Sequence, residues 1–367
     1  MTTQQMKNIT GLTLLILTLL FCSQCKQNRK ILSSIDIGPD SSVFAMAVYN
    51  DELYIGGRFD SVSGFKSKYI AKWDGTKWSA VGKGLSEGTR GVEALEVYKG
   101  ELYAAGDFNY IDTIPVDHIA KWNGNEWSPV GHGKTDGVLP YIRSLCIYKD
   151  ELYAASAFHS IGGVKAKNIA KWDGVKWDSV GVGVNYTIIS LAVYKDELYA
   201  GGICDRESGN LVKWDGSKWT SLGKGISTND EVQSYAIYQN NLITAGTFDS
   251  AGGQAANVIA KWDGEVFKPF DKPLTDSNAS MATMTVYNDE LYVGGWFSFP
   301  NKENSNVNII KWDGNSWQMV AKGASNQVSF VSCFINYKND FYAGGSFRSL
   351  NGRPVKFLTK LPIPITE

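Results

Sequence analysis

Histidine, cysteine and an excess of charge of either sign are scarce in this sequence of 367 residues. Its three histidines leave little room for imidazole-based metal sites or general-base catalysis. The 36 basic and 37 acidic residues nearly cancel, and no basic stripe is present, so nucleic acid is not expected as a partner. Cys146, Cys204 and Cys333 are widely spaced, which favours buried thiols over a zinc site or a disulfide framework.

Long hydrophobic runs are also missing, apart from a short one near the amino terminus. Leu12–Phe21 is too short to cross about 30 Å of hydrocarbon, and it is typical of the apolar core of a signal peptide. Cys22 and Cys25 follow, and the pattern resembles a bacterial lipoprotein signal in which one of the two cysteines is acylated. A plain secretory signal with incidental cysteines is the alternative.

We therefore predict a signal peptide over residues 1–24 and a linker over 25–30. The mature protein would be an outer-membrane or surface lipoprotein of the bacterial cell envelope, held to the membrane by its lipid anchor alone. Secretion is the alternative.

Aromatic residues, by contrast, are abundant and recur in a fixed pattern. One phrase runs from an apolar segment ending in Tyr through a polar turn to Leu-Tyr and two small residues, as in Val48–Gly57. Its anchoring tyrosines are Tyr49, Tyr98, Tyr148, Tyr194, Tyr238, Tyr287 and Tyr337. A second phrase, Lys-Trp-Asp/Asn-Gly-x-x-Trp, carries the pairs Trp73/Trp78, Trp122/Trp127, Trp172/Trp177, Trp214/Trp219, Trp262/Phe267 and Trp312/Trp317. The steps of 44 to 50 residues between the tyrosines indicate a repeat protein.

Each repeat contains four short segments rich in β-formers, which we name A to D. In the first repeat they are Val43–Tyr49, Leu53–Phe59, Tyr69–Trp73 and Trp78–Val81. The turn at Asp74-Gly75 makes C and D a hairpin with Trp73 and Trp78 on one face, where a neighbouring sheet must cover them. Four strands in each of seven repeats predict an all-β, seven-bladed β-propeller of four-stranded antiparallel blades over 31–367, acting as a monomeric domain.

The last repeat has no second Trp phrase. Val355–Leu361 supplies its strand C, but no strand D follows. Leu32–Gly38 stands 17 residues before Tyr49, as Trp177–Gly183 stands 17 residues before Tyr194. We therefore predict that Ile31–Ile37 forms the outer strand of the last blade, which closes the ring and covers an open sheet edge.

This order of segments resembles the kelch repeat and the central propeller of the galactose oxidase-like family. The resemblance rests on the Trp phrase and on the doublets Gly56-Gly57, Gly201-Gly202, Gly294-Gly295 and Gly344-Gly345. This sequence differs from the kelch repeat in having Trp73-Asp74-Gly75 where kelch repeats more often have Tyr-Asp-Pro. The resemblance implies a propeller fold, which hosts many unrelated functions.

Because the strands alternate in direction, the A–B and C–D turns share one face, here called the turn face. The B–C and D–A connections share the other, here called the loop face. The turns are short and nearly identical, whereas the loops are longer and differ in every repeat, so we expect a ligand on the loop face. The candidate binding residues are Trp296, Arg58, Asp107, Tyr110, His159, Asp205, Arg206 and Arg348, with Tyr141 and Tyr186 as further loop aromatics. Trp296 could stack on a sugar, clamp a peptide or pack between blades, and each charged residue could bind a carboxylate or be a solvated surface charge.

No catalytic, metal or cofactor site is predicted. His118 aligns with Tyr69 and Asn168, which indicates a structural position, and His132 and His159 lack a third ligand. Repeated acidic pairs such as Asp51-Glu52 are explained by turn formation. The sequence therefore favours a non-catalytic module that binds a glycan or protein. The alternatives are a carbohydrate-active lyase or glycosidase, using acidic loop residues such as Asp107 or Asp205, and a purely structural scaffold.

Overall fold

The computed structural model describes residues 38–86, 88–111, 113–203, 211–223, 225–227, 231–272, 279–297, 307–324 and 329–362. Every helix or strand element within these ranges is a β-strand. No helix in the same ranges is long and apolar enough to cross a membrane. The predicted signal peptide and linker, with Cys22 and Cys25, lie outside the described residues.

The strands follow one another along the whole of this part of the chain. In chain order they are β1 (Val43–Tyr49), β2 (Glu52–Gly57), β3 (Ser61–Val62), β4 (Phe65–Lys66), β5 (Ile70–Trp73), β6 (Trp78–Ala80), β7 (Leu85–Ser86), β8 (Gly91–Tyr98), β9 (Glu101–Asp107), β10 (Tyr110–Ile111), β11 (Ile114–Pro115), β12 (Ile119–Trp122), β13 (Trp127–Pro129), β14 (Asp136–Tyr148), β15 (Glu151–Ile161), β16 (Val164–Lys165), β17 (Ile169–Trp172), β18 (Trp177–Ser179), β19 (Thr187–Tyr194), β20 (Glu197–Ile203), β21 (Leu211–Trp214), β22 (Trp219–Ser221), β23 (Val232–Tyr238), β24 (Asn241–Gly246), β25 (Ser250–Ala251), β26 (Gln254–Ala255), β27 (Ile259–Trp262), β28 (Phe267–Pro269), β29 (Ser280–Tyr287), β30 (Glu290–Phe297), β31 (Val307–Trp312), β32 (Trp317–Lys322), β33 (Phe330–Tyr337), β34 (Asp340–Ser346), β35 (Ser349–Leu350), β36 (Arg353–Pro354) and β37 (Leu358–Leu361).

Each of the first six repeats forms a sheet whose four main strands lie in sequence order. These sheets are β1-β2-β5-β6, β8-β9-β12-β13, β14-β15-β17-β18, β19-β20-β21-β22, β23-β24-β27-β28 and β29-β30-β31-β32. Neighbouring strands pair antiparallel, as in the first sheet. The predicted strands A to D of the first repeat match β1, β2, β5 and β6 to within two residues at each end. The all-β fold with four-stranded antiparallel sheets is therefore confirmed, and it is compatible with a propeller-like repeat protein.

The tight A–B turns use left-handed backbone at both central positions. Asn50 and Asp51 have φ of 48° and 60°, and Lys149 and Asp150 have φ of 48° and 59°. This is the geometry of a type I′ turn, whose twist suits a two-residue hairpin. The acidic pairs thus belong to the turns, and the Glu that follows reaches a cross-strand Lys, as in the 2.8 Å contact of Glu52 with Lys72.

The C–D turns are held by the Asp of the Trp phrase. In the first repeat, Asp74 Oδ1 accepts the backbone N–H of Thr76 at 2.7 Å and of Lys77 at 2.9 Å. Trp73 and Trp78 lie directly opposite each other, with ring centroids 5.2 Å apart. The predicted placement of the two rings on one face of the hairpin is confirmed.

The aromatic pairs fill the space between neighbouring sheets. The first Trp of every pair is buried, and Trp172 is only 4% exposed. Trp172 packs in a cluster with Tyr98 and Val130 of the preceding repeat, so its ring bridges two sheets. The second members Trp219 and Trp317 are only half-buried. Burial of the repeated Trp is therefore confirmed for most of the set.

The anchoring tyrosines Tyr49, Tyr98, Tyr148, Tyr194 and Tyr337 each donate a hydrogen bond to a turn carbonyl oxygen of a neighbouring repeat. The Tyr98 hydroxyl donates to the carbonyl oxygen of Asp150 at 2.9 Å, and Tyr148 donates to that of Asp196 at 3.0 Å. The same bond joins the last repeat to the first, where Tyr337 donates to the carbonyl oxygen of Asp51 at 3.0 Å. Each bond satisfies a turn carbonyl with a side chain from the neighbouring sheet.

The expectation that the B–C loops differ in every repeat is wrong for five of them. Repeats one, two, three, five and seven share a short hairpin, formed by β3/β4, β10/β11, the end of β15 with β16, β25/β26 and β35/β36. Its buried anchors are Phe59, Phe108, Phe158, Phe248 and Phe347. Its last residue is left-handed, with positive φ at Tyr69, His118, Asn168, Val258 and Phe357. These loops are uniform because each must bury a Phe and rejoin strand C.

The seventh repeat contributes the three strands β33, β34 and β37 to its sheet. The predicted fourth strand, Ile31–Ile37, lies outside the described residues. The residues that follow it pair with the hairpin of the first repeat. Asp40 donates its backbone N–H to the carbonyl oxygen of Ser61 at 3.0 Å, and Ser63 donates to that of Gly38 at 3.1 Å.

Candidate functional site

The predicted binding residues are distributed over several repeats rather than gathered in one site. Asp205 and Arg206 lie outside the described residues. Trp296 is half-buried in β30, opposite Ser280 of the neighbouring strand. Arg348 is exposed and lies over the ring of Phe357, with its guanidinium carbon 5.4 Å from the ring centroid. The binding roles of these residues stay predictions.

Arg58 lines a small recess of about 310 Å³ together with Phe44, Thr89 and Arg90. Nearby, the Asp107 carboxylate is already engaged by the chain. Its Oδ2 atom accepts the backbone N–H of Thr89 at 2.9 Å, the Thr89 hydroxyl at 2.8 Å and the backbone N–H of Arg90 at 3.2 Å. Asp107 therefore fixes the D–A loop of the first repeat, and a ligand would compete with three hydrogen bonds for it.

The further aromatics Tyr141 and Tyr186 are buried and do not lie open on the loop face. The Arg90 guanidinium lies over the Tyr141 ring, with its carbon 5.4 Å from the ring centroid. The Tyr186 hydroxyl donates to the carbonyl oxygen of Ala200 at 2.9 Å. Both rings therefore stabilise the fold.

Tyr110 lines a cleft of about 640 Å³ that we call the second-repeat cleft. One wall is the hairpin that ends at His118, and another is the D–A loop from Pro129 to Thr135. Ile161, Gly162 and Trp177 of the third repeat complete the lining. A cleft of this volume is in the range that holds small-molecule ligands.

Three residues that line this cleft carry buried polar atoms without a hydrogen-bond partner among the described residues. They are Asp117 Oδ2, His118 Nδ1 and Thr135 Oγ1. His118 and Thr135 are each only 8% exposed. Leaving such an atom unpaired costs about 1–3 kcal/mol. Neither the Arg58 recess nor the cavity beside His159 is lined by a residue with such an atom.

The first repeat shows why the second one is open. At the positions of Asp117, His118 and Thr135, it has Lys68, Tyr69 and Leu85, as the strand pairing and the left-handed residue of each hairpin show. Leu85 is buried, and the Tyr69 hydroxyl donates to the carbonyl oxygen of Gly88 at 2.6 Å.

The D–A loop is one residue longer in the second repeat than in the first, counted from the Val that follows strand D to the residue that pairs with the next hairpin. Val81 stands five residues before the paired Ser86, whereas Val130 stands six before the paired Asp136. The smaller Thr135 and the longer loop together leave the cleft.

The electrostatics of the cleft are mixed. Burial lowers the pKa of His118 below its ordinary value of 6.5, so the ring is uncharged at neutral pH. Lys134 is exposed at the same cleft, and His132 is also exposed. The described residues contain no group of three His, Cys, Asp or Glu side chains that could hold a metal ion.

His159 lines a separate cavity of about 540 Å³, beside the hairpin of the third repeat. The structure does not bring it together with Arg58, Arg348 or Trp296 in one cavity among those described.

Of the predicted residues, only Tyr110 belongs to the second-repeat cleft, and Asp117 and Thr135 were missed. A signal for them exists in the sequence. Asp117 reverses the charge of Lys68, Lys167 and Lys356 at the same hairpin position. Thr135 replaces an aliphatic residue in a longer loop, which the repeat alignment alone does not reveal.

No protein-family model matches this chain, and no curated protein matches it. Among solved structures, the chain is similar to the crystal structure of the computationally designed Ika8 protein. The two are 14% identical in sequence, with a TM-score of 0.48, and the match covers 84% of this chain and 82% of that one.

Proposed function

We propose that the chain is an exported, seven-bladed, kelch-like β-propeller that binds a ligand on its loop face without transforming it. Three features support this proposal: the contacts of the last repeat with the first, the pairing of the segment after the predicted closing strand, and the second-repeat cleft.

The contacts between the seventh and first repeats repeat those between the second and third. Lys99 donates to the carbonyl oxygen of Asp173 at 2.8 Å, and Lys338 donates to that of Asp74 at 2.9 Å. The anchoring tyrosines of the same repeats make matching bonds to Asp150 and Asp51. These matching contacts support a closed ring, in which seven repeats would give seven blades.

Closure by the amino-terminal segment has its own support. Gly38 and Asp40 bond to the first hairpin at 3.1 and 3.0 Å, as Gly225 and Ser227 bond to the fifth at 2.7 and 2.9 Å. Gly225 and Ser227 follow strand D of the fourth repeat, namely β22. Residues 38–40 therefore occupy the place of a D–A loop, and the preceding Ile31–Ile37 would be strand D of the last blade.

Export and the envelope location rest on Leu12–Phe21 and on Cys22 or Cys25. We propose an outer-membrane or surface lipoprotein in which a lipid on one of these cysteines is the attachment, with secretion as the alternative.

The single observation that carries the binding function is the set of three unpaired polar atoms around one 640 Å³ cleft. Buried polar groups are normally paired. The three atoms belong to side chains that line the cleft but are themselves shielded from it, so a ligand would pair with them once those side chains turn outward. Of the two acidic residues named for a carbohydrate-active enzyme, Asp107 is held by Thr89 and Arg90, and Asp205 lies outside the described residues. A pure scaffold would have no use for the cleft.

The test uses residues 26–367 and a variant that gives the second repeat the side chains of the first, Asp117→Lys with His118→Tyr and Thr135→Leu. Both are screened against glycans, small polar metabolites and envelope extracts, with mass spectrometry for products. We expect the wild type to bind without new product masses and the variant to lose that binding. The control Lys176→Leu, on the turn face, should bind as the wild type does.

New product masses would replace the binding role with an enzymatic one. Equal binding by wild type and triple variant would move the site away from the second-repeat cleft.

A further inference from the structure

We infer that the second-repeat cleft binds a neutral, hydroxyl-rich ring such as one sugar unit, in preference to an anionic or cationic ligand. This assigns a ligand class to the site and rests on the proposed binding function.

Hydrogen-bonding capacity is the first reason. Asp117 Oδ2 can only accept, whereas the Thr135 hydroxyl can donate and accept. His118, uncharged because burial lowers its pKa, offers a nitrogen that donates or accepts according to its tautomer. All three atoms are shielded in the structure, so pairing requires their side chains to turn towards the cleft, where a polyol with donating and accepting hydroxyl groups can pair with them.

Charge is the second reason. Asp117 is half-buried in the cleft lining, so solvent screens its charge only in part. A carboxylate or phosphate ligand would meet this charge and could not donate to it. Lys134 is exposed, where solvent and salt weaken its attraction for an anion, but it lines the same cleft and opposes a cation. Neutral ligands avoid both penalties.

Ring surfaces are the third reason. Tyr110, which is half-buried, and Pro115, which is exposed, line the same cleft. The apolar faces of a sugar ring pack against such side chains, while the hydroxyl groups around its edge remain available for hydrogen bonds. The cleft thus offers apolar walls together with a few fixed polar groups.

The experiment is isothermal titration calorimetry of residues 26–367 with three sets of probes. The neutral set is methyl glucoside, methyl galactoside and methyl mannoside. The anionic set is glucuronate and galacturonate, and the cationic probe is ethylammonium. We expect at least one neutral probe to bind and to bind more tightly than either charged set.

Three variants locate the interaction. Thr135→Val removes a hydroxyl at nearly constant volume, and we expect binding about five- to tenfold weaker. Asp117→Asn removes a charged acceptor, and we expect a loss of about 10- to 100-fold. Asn257→Asp places a carboxylate at the equivalent hairpin position of the fifth repeat and should leave binding unchanged.

A second readout separates ligand binding from structure. Because the Thr135 hydroxyl has no hydrogen-bond partner among the residues that the structure describes, Thr135→Val should leave the melting temperature unchanged or raise it while weakening binding. A lower melting temperature with unchanged affinity would make Thr135 a structural residue and overturn its assignment to the ligand.

The outcomes distinguish the ligand class from the function. If charged probes bind and neutral ones do not, the inferred class is wrong. The inferred class is also wrong if no sugar binds but the cleft variants weaken the binding of another ligand from the wider screen. In that case the proposed binding function still stands. If a neutral sugar binds and no cleft variant weakens it, the location is wrong. If neither experiment finds a ligand, both proposals fail.

Discussion

The first and second repeats are built from the same strands, turns and hairpin, but the second lines a cleft of about 640 Å³ with side chains that differ from those of the first. In the first repeat, Tyr69 is bonded to the Gly88 carbonyl oxygen at 2.6 Å and Leu85 is buried. In the second, His118 and Thr135 stand at these positions with unpaired polar atoms. Side chains at a few positions and one extra loop residue therefore distinguish the two repeats.

This difference teaches that stability and recognition are carried by different residues of the same repeat. The Tyr bonds, the Trp pairs and the hairpin Phe recur and hold the frame. Exceptions to the repeat are where a ligand can be recognised. The predictions below test first the shared frame and then a difference between the two repeats.

The largest effect is expected from removing the segment that we propose closes the ring. Deleting residues 26–38 should expose a sheet edge and the apolar surface beside it, at a cost of roughly 5 kcal/mol or more. Denaturant unfolding measures the change. Deleting only residues 26–30 is the control and should cost little. Equal stability of the two deletions would contradict closure by this segment.

A buried Trp of the frame comes next. Trp172→Ala should lower the free energy of unfolding by about 3–5 kcal/mol, because its ring fills the space between two sheets. The half-buried Trp219 offers the comparison, since Trp219→Ala should cost clearly less. A loss below about 1 kcal/mol for Trp172→Ala would show that this packing does not support the fold.

The tyrosine bonds give a smaller and more pointed test. Tyr98→Phe and Tyr337→Phe each remove one hydroxyl that donates to a turn carbonyl oxygen of a neighbouring repeat. Both should cost about 1 kcal/mol, and the costs should be equal if the seventh and first repeats meet as internal neighbours do. If Tyr98→Phe lowers the free energy of unfolding and Tyr337→Phe leaves it unchanged, the result would argue against a closed ring.

The smallest effect concerns the C–D turns, where the first repeat has Asp74 and the second has Asn123. Hydrogen bonds from the Thr76 side chain and the Lys77 and Thr76 backbone lower the pKa of Asp74 from 3.8 to about 2. The folded chain therefore binds this proton less tightly than the unfolded chain does. Its contribution to stability is complete above the ordinary pKa and is lost as the pH falls through 3.8 towards 2.

Asn123 makes the same two backbone bonds, at 2.9 Å each, without a charge to titrate. Asp74→Asn should therefore flatten the acid dependence of the melting temperature, and Asn123→Asp should steepen it. An unchanged slope in both variants would mean that these turns do not contribute to acid unfolding.

Much of the frame could be predicted from the sequence because the repeats carry local signals. The type I′ turns need left-handed residues such as Asn50 and Asp51, and the Trp spacing sets the hairpin of strands C and D. The uniform hairpins were missed because their short strands look like loop sequence until Phe59 and its equivalents are seen to be buried.

The candidate site was harder to predict. Exposed charges such as Arg58 are easily identified in a sequence, whereas the cleft depends on the space that the small Thr135 side chain leaves unfilled. Such a space follows from the distance between a loop and the next hairpin. That distance comes from tertiary packing and not from any local pattern.

The most direct test of the central claim is a crystal structure of residues 26–367 soaked with the tightest ligand of the screen. The account predicts ligand density in the second-repeat cleft, against Tyr110 and within hydrogen-bond distance of Asp117 and Thr135. Density at the Arg58 recess, with the cleft holding none, would contradict it.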